Sequence, residues 1–173
     1  MKQTYWLITI VLILRVLGGY AQNPELYIQK KYAGKQILPN NIILTDSKMQ
    51  KIKALSGMEP KEQLVSFYEV YSGNTLEKYV YIDIHRVRSK NEAVLFAISP
   101  SGKIDEIEIL SFKEPKEYKP QPSWLEQFTN KGLEQPLRYK YDIDGITGAT
   151  LSGMAITDNT RKVLAIWKVS YNK

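Results

Sequence analysis

From Leu64 to Leu110 apolar and polar positions mostly alternate, whereas on either side of that region they recur three and four residues apart. Alternation places successive side chains on opposite faces of a pleated strand, and the longer spacing lines one face of a helix. Leu64–Tyr71 and Lys78–Val87, separated by the turn chemistry of Ser72-Gly73-Asn74, are expected to form a hairpin. In its second strand Tyr79, Tyr81 and Asp83 share one face, and Val80, Ile82 and Ile84 share the other, expected to look at the core. Ala93–Ile98, the turn Ser99-Pro100-Ser101-Gly102 and Lys103–Leu110 make a second hairpin. Its last strand sets Ile104, Ile107 and Ile109 against acids and is expected to be half exposed.

Three segments carry helical spacing. Met49, Ile52 and Leu55 follow Asp46 and Ser47 as candidate N-caps and precede Gly57 as a stop. Ser123-Trp124-Leu125-Glu126 reads as a capping box opening a short helix toward Gly132, with Trp124, Leu125 and Phe128 as its apolar stripe. A final helix from about Leu151 to Trp167 aligns Ile156, Val163, Ile166 and Trp167, with Asp158, Arg161 and Lys162 away from that stripe. Asn23–Leu44 shows no clear period and reads as an arm, and Leu137–Ile143 reads as a strand. The expected fold class is α+β: an antiparallel sheet of hairpins flanked by short helices, with a C-terminal helix after a small-residue turn.

Ahead of this pattern, Lys2 precedes an apolar run from Tyr5 to Leu17 and then Gly18-Gly19-Tyr20-Ala21. That is the layout of a signal peptide over 1–21, cleaved after Ala21. The rival is an uncleaved anchor, although Arg15 interrupts a run already short for a membrane span. Both readings put the remainder outside the cytoplasm, exported and periplasmic or otherwise extracytoplasmic.

Composition then narrows the chemistry. The net charge of +6 falls when the leader takes Lys2 and Arg15 with it, and lysines interleave with glutamates in Lys113-Glu114-Pro115-Lys116-Glu117. This is a solvated face rather than a nucleic-acid stripe, and no nucleic-acid partner is expected. The chain has no cysteine and one histidine, His85, so disulfides, thiolate metal sites, a cysteine nucleophile and a His-rich zinc site are excluded. No catalytic or metal-ligating residue is assigned, and a hydrolase would have to rely on His85 alone. A lone imidazole in a strand is usually structural or a surface residue; a proton relay is the alternative.

The remaining chemistry concentrates in Asp144-Gly145-Ile146-Thr147-Gly148-Ala149-Thr150, where a strand candidate hands over to a helix. Unsatisfied amides and the positive end of a helix dipole make such a junction attractive to phosphate. Gly148 lets the backbone turn sharply, Ala149 adds little bulk, and Thr150 or Ser152 can present a hydroxyl there. The same residues also suit a plain helix cap.

The string Asp144-x-x-Thr147-Gly148-Ala149-Thr150-x-Ser152 resembles the flavin-attachment motif of FMN-binding domains, found in subunits of sodium-translocating NADH:quinone oxidoreductases and Rnf-type electron-transfer complexes. The hairpin at 93–104, the acidic loop at Glu114 and Trp124-Leu125-Glu126-Gln127-Phe128 follow in the family's order, so 79–167 is family-like. Two departures are Thr147, where serine is common, and Pro115-Lys116-Glu117-Tyr118, where the respiratory subunits carry a Gly-Leu-Gly-type loop.

The resemblance implies an arm and short helix over 22–60 and an FMN-binding domain over 61–173. It also implies FMN held covalently through its phosphate on Thr150, with Asp144, Thr147, Gly148, Ala149, Leu151, Ser152, Glu114 and Trp124 as cofactor-binding residues. Phe112 and Tyr118 are further aromatic candidates for stacking on the ring. By the same resemblance the attachment is made by a separate flavin transferase using FAD and magnesium. The protein is then an electron carrier rather than a free-standing enzyme, serving a membrane or periplasmic redox partner. The alternative is an extracytoplasmic binding or surface module of the same fold without a redox cofactor.

Overall fold

The computed structural model describes residues 23–171, so the leader expected over 1–21 lies outside the described residues. In chain order the elements are α1 (Pro24–Lys31), β1 (Gln36–Ile43), α2 (Asp46–Ser56), β2 (Leu64–Ser72), β3 (Thr75–Arg86), β4 (Asn91–Ile98) and β5 (Ile104–Phe112). A 3-10 turn at Lys116–Tyr118, α3 (Pro122–Leu125) with its 3-10 continuation Glu126–Phe128, and α4 (Thr150–Tyr171) complete the chain. The five strands form one sheet in the order β1-β2-β3-β4-β5, every pair antiparallel. The α+β expectation holds.

The sheet buries both faces, unequally. On one face Val94, Phe96, Ile98, Ile104, Ile107 and Ile109 pack with Ile156, Val163, Ile166 and Trp167 of α4. Tyr79 and Tyr81 join this side: Tyr79 meets Trp167 at 5.8 Å and Tyr171 at 4.2 Å between ring centroids. On the reverse face Val70, Val80, Leu95 and Ala97 pack against Ile28 of α1. The expected inward face of β3 is therefore corrected. Its tyrosines face the main core, while the aliphatic side is covered only where α1 reaches, leaving Val80 buried and Ile84 64% exposed. Aromatic bodies supply more apolar area than aliphatic ones.

Two slips in the β4–β5 register explain why the isoleucines of β5 only nearly alternate. Ile98 pairs with Ile104 and Ala97 with Glu106, so Asp105 is the extra residue of a bulge that returns Ile104 and Ile107 to one face. Glu106 and Glu108 point to the other side, where Lys31 of α1 bonds them at 2.8 and 2.7 Å.

Asn23–Leu44 is more ordered than its sequence suggests. Asn23 caps α1 by accepting from the Leu26 amide at 3.1 Å, and β1 pairs along its length with β2. Thr45, rather than Asp46 or Ser47, caps α2, and Gly57 ends it at φ 79° as expected. The helix near Trp124 starts at Pro122 without a side-chain cap, so the capping box does not form; Ser123 already lies inside the turn. Leu137–Ile143 is not a strand. Leu137 and Lys140 take φ of 44° and 67°, outside extended backbone, while Leu137 and Ile143 are buried as anchors at either end.

Candidate functional site

The segment from Arg138 to Thr150 is irregular, yet side chains tie it down throughout. Arg138 and Asp142 form an ion pair at 2.8 Å, and Asp142 also accepts the Arg138 amide at 2.9 Å. Asp144 is held through its backbone: its amide donates to Gln127 Oε1 at 2.9 Å, and its carbonyl accepts from Trp124 Nε1 at 2.8 Å. Two residues on, the Ile146 amide donates to Tyr139 Oη at 2.8 Å. The Tyr139 ring lies against Gly153, where a Cβ would collide with it.

The turn then closes with the Ala149 amide donating to Ile146 O at 3.2 Å. Gly148 occupies its third position at φ 78°, the left-handed conformation that glycine adopts without a steric cost. The first α-helical bond runs from the Gly153 amide to Ala149 O at 3.1 Å, so the amides of Thr150, Leu151 and Ser152 lie ahead of the ladder. Ala149 at the cap position has no side-chain acceptor to offer them.

The residues that bear these amides line a cavity of about 210 Å³ shared with a second loop. Glu114, 8% exposed, organises that loop by accepting from the amides of Ser89 at 2.6 Å, Lys90 at 2.7 Å and Arg88 at 3.2 Å. The amides of Lys90 and Ser89 hold its carboxyl below the usual carboxylate range. Glu114, which a charged sequence neighbourhood suggests is solvated, is thus an internal brace that also lines the cavity. The braced loop contributes Val87 and Arg88 to the cavity lining, and Tyr118 adds an aromatic residue.

Of the residues singled out by sequence, Thr150, Gly148, Ala149, Leu151, Ser152 and Glu114 line this cavity, as does Tyr118. Thr150 is exposed, Leu151 is half exposed and Ser152 is buried. Asp144, Thr147 and Trp124 lie outside the lining, Trp124 packing edge-on against Phe128 at 5.5 Å and bracing the turn from behind. Phe112 packs against the main core. Sequence reasoning missed Arg88, Gln127, Tyr139 and Gly153. The small residue one turn into a helix, Gly153, was the available signal.

The cavity suits the phosphate end of a nucleotide-like group. Uncapped amides at a helix N-terminus, with Arg88 in the lining and a threonine at the first helical position, supply the kinds of donor such a group takes. Its volume is below the ~300–1,000 Å³ of sites that enclose a whole small molecule. Among the described residues no cluster of His, Asp or Glu suited to a metal ion occurs.

Residues 89–165 match the family model described as FMN-binding domain. No curated protein matches the chain. The match takes in β4, β5, Glu114, the turn and most of α4, all but two residues of the cavity wall. Residues 89–165 of this chain belong to the FMN-binding domain family.

Proposed function

We propose that this protein is an exported electron-transfer flavoprotein carrying FMN through a phosphoester on Thr150. The observation that supports the reading best is the position of Thr150: an exposed residue, the first of α4, beside amides without a capping side chain and lining one cavity with Arg88. Attachment forms a bond from Thr150 Oγ1 to the FMN phosphorus of FAD. The phosphoanhydride bond breaks, AMP leaves, and the hydroxyl proton passes to a base of a separate, magnesium-dependent flavin transferase. Bound FMN supplies one- and two-electron transfer, and this chain supplies tether, orientation and field.

The small cavity favours a tether. A site of about 210 Å³ leaves much of the cofactor outside, where non-covalent contacts are few. A covalent bond keeps the cofactor where the cytoplasm cannot replace it, in agreement with the signal-peptide layout at the N-terminus. Thr150, Leu151, Ser152 and Arg88 would hold the phosphate, with Asp144 and Thr147 exposed for recognition by the transferase. The electron partner on this reading is a membrane or periplasmic redox protein.

The test is intact mass with peptide mapping on protein exported from a host that co-expresses a flavin transferase. A gain of FMN less water on the Thr150 peptide is the expected result. An unmodified chain beside a loaded positive control would favour the cofactor-free binding module.

A further inference from the structure

Behind the loop that carries Arg88 lies a buried chain of four ionisable groups outside the cofactor cavity. His85 Nδ1 contacts Asp83 Oδ2 at 2.8 Å and its Nε2 contacts Glu92 Oε1 at 2.7 Å. Lys162 of α4 contacts both oxygens of Asp83, at 2.9 and 3.1 Å. Asp83, His85 and Glu92 are 5%, 8% and 1% exposed. Lys162, expected to fall away from the helix's buried stripe, instead reaches down to the sheet. With His85 protonated, two cations face two anions and each ring nitrogen donates to a carboxylate.

His85 and Glu92 are directly opposed in the β3–β4 register, and the next rung outward, Arg86 with Asn91, is the last before the loop. The His85–Glu92 contact is thus the side-chain tie at the neck of the hairpin, and the tip of that hairpin bears Val87 and Arg88 of the cofactor cavity. We propose that His85 is the positioning residue of this loop: protonated, it clamps β3 to β4, and loss of its proton slackens the loop that walls the cavity.

The hydrogen-bond balance at His85 supports this coupling. A neutral imidazole keeps one N–H, so one of its two carboxylate contacts becomes lone pair against oxygen and the other loses its charge assistance. Lys162 still compensates Asp83. Glu92 has no other partner, since its Oε2 is buried without a hydrogen bond among the described residues. The departing proton has an exit through a separate cleft of about 170 Å³ opening on Asp83 and His85. The charged groups around that cleft are Glu59, already paired with Lys53, together with Lys61, Glu62 and Arg86. Burial alone would lower the His85 value, but the bonds to Asp83 and Glu92 outweigh it and hold the imidazole above its ordinary range.

The consequence for FMN rests on the function proposed above, whereas the response of the loop does not, and the experiment uses flavin-free mature protein without a histidine tag. Because the chain holds one histidine, its imidazole signals can be followed by NMR against pH without ambiguity. The expected result is a midpoint above 6.5. Across the same midpoint the Ser89 and Lys90 amides should shift, and their exchange, corrected for base catalysis, should rise several-fold. In His85→Gln the inflection at those amides should vanish. A midpoint at or below 6.5, or loop amides that ignore the titration of His85, would overturn the proposal whatever the mass of Thr150 shows.

Discussion

Tyr139 and Gly153 touch across the cofactor turn, the ring of one occupying the space that a side chain on the other would fill. Because Tyr139 Oη also takes the Ile146 amide at 2.8 Å, this contact sets the height of the turn above α4. An alanine at 153 gains helix propensity worth up to ~1 kcal/mol but must displace the ring. Gly153→Ala is expected to destabilise by about 1–3 kcal/mol, as overpacking of a filled site does. It should also reduce flavin incorporation; thermal melts and in-gel flavin fluorescence check the two effects separately.

Thr150→Ala removes the only atom proposed to bond the cofactor and leaves an exposed first helical position with good propensity. Its unfolding free energy should stay within about 0.5 kcal/mol of the parent's, as is typical of surface changes. Covalent flavin should disappear from denatured protein, and fluorescence retained after denaturation would contradict the attachment site.

Asp144 and Trp124 separate recognition from bracing. The side chain of Asp144 is exposed while its backbone amide and carbonyl are bonded to Gln127 and Trp124, so Asp144→Ala leaves those bonds intact. Flavin loading should fall with little change in stability. Trp124→Phe keeps an aromatic ring but removes the donor to Asp144 O, costing about 0.5–1.5 kcal/mol. Chemical denaturation and loading measured on both variants distinguish the roles.

Acid should loosen the loop opposite the helix. Amides of Lys90 and Ser89 depress the Glu114 value, so its contribution is present above the unfolded value of 4.5 and is lost as pH falls through the lowered folded value. Glu114→Gln keeps the one oxygen that the three amides share but removes its charge, and hydrogen exchange at 88–90 should speed up near neutral pH. Unchanged protection would remove Glu114 from its bracing role.

Stability should also have a plateau bounded by two buried groups. Burial raises Asp83, but His85 and Lys162 outweigh it and lower the carboxyl below 3.8, while His85 is held above 6.5. The Asp83 contribution is present above 3.8 and fades as pH drops through its lowered value. The His85 contribution is complete below 6.5 and fades as pH climbs through its raised value. Melting temperature against pH should fall off beyond both limits, and His85→Gln should flatten the alkaline limb.

Hairpin strands and the last helix were legible because periodicity reports which side of an element is buried, and there the pattern was strong. Asp144 to Thr150 was legible as chemistry for another reason: glycine and short polar residues ahead of a helix restrict what the backbone can do. The face of β3 was misread because tyrosine is amphipathic; hydropathy does not reveal that Tyr79 would pack against Trp167 and Tyr171, and Tyr81 against Phe67. Leu137 and Ile143 looked like strand residues because both are buried, but a buried anchor at each end of a loop leaves the same trace. Arg88, Glu114 and His85 gain their roles from contacts across the sheet and its loops, and single-sequence spacing does not encode such pairings.

Every strand of the sheet pairs with its neighbour in the chain, whereas α4 lies at the far end of the sequence. A chain that emerges N-terminus first can therefore complete β1 to β5 by local zippering before α4 arrives. The turn at Thr150 needs Trp124, Gln127 and Tyr139 in front of it and a docked α4 behind it, so it is among the last features to take shape. Presentation of the threonine then serves as a certificate of completed folding, and any modification that reads the assembled turn marks only finished molecules.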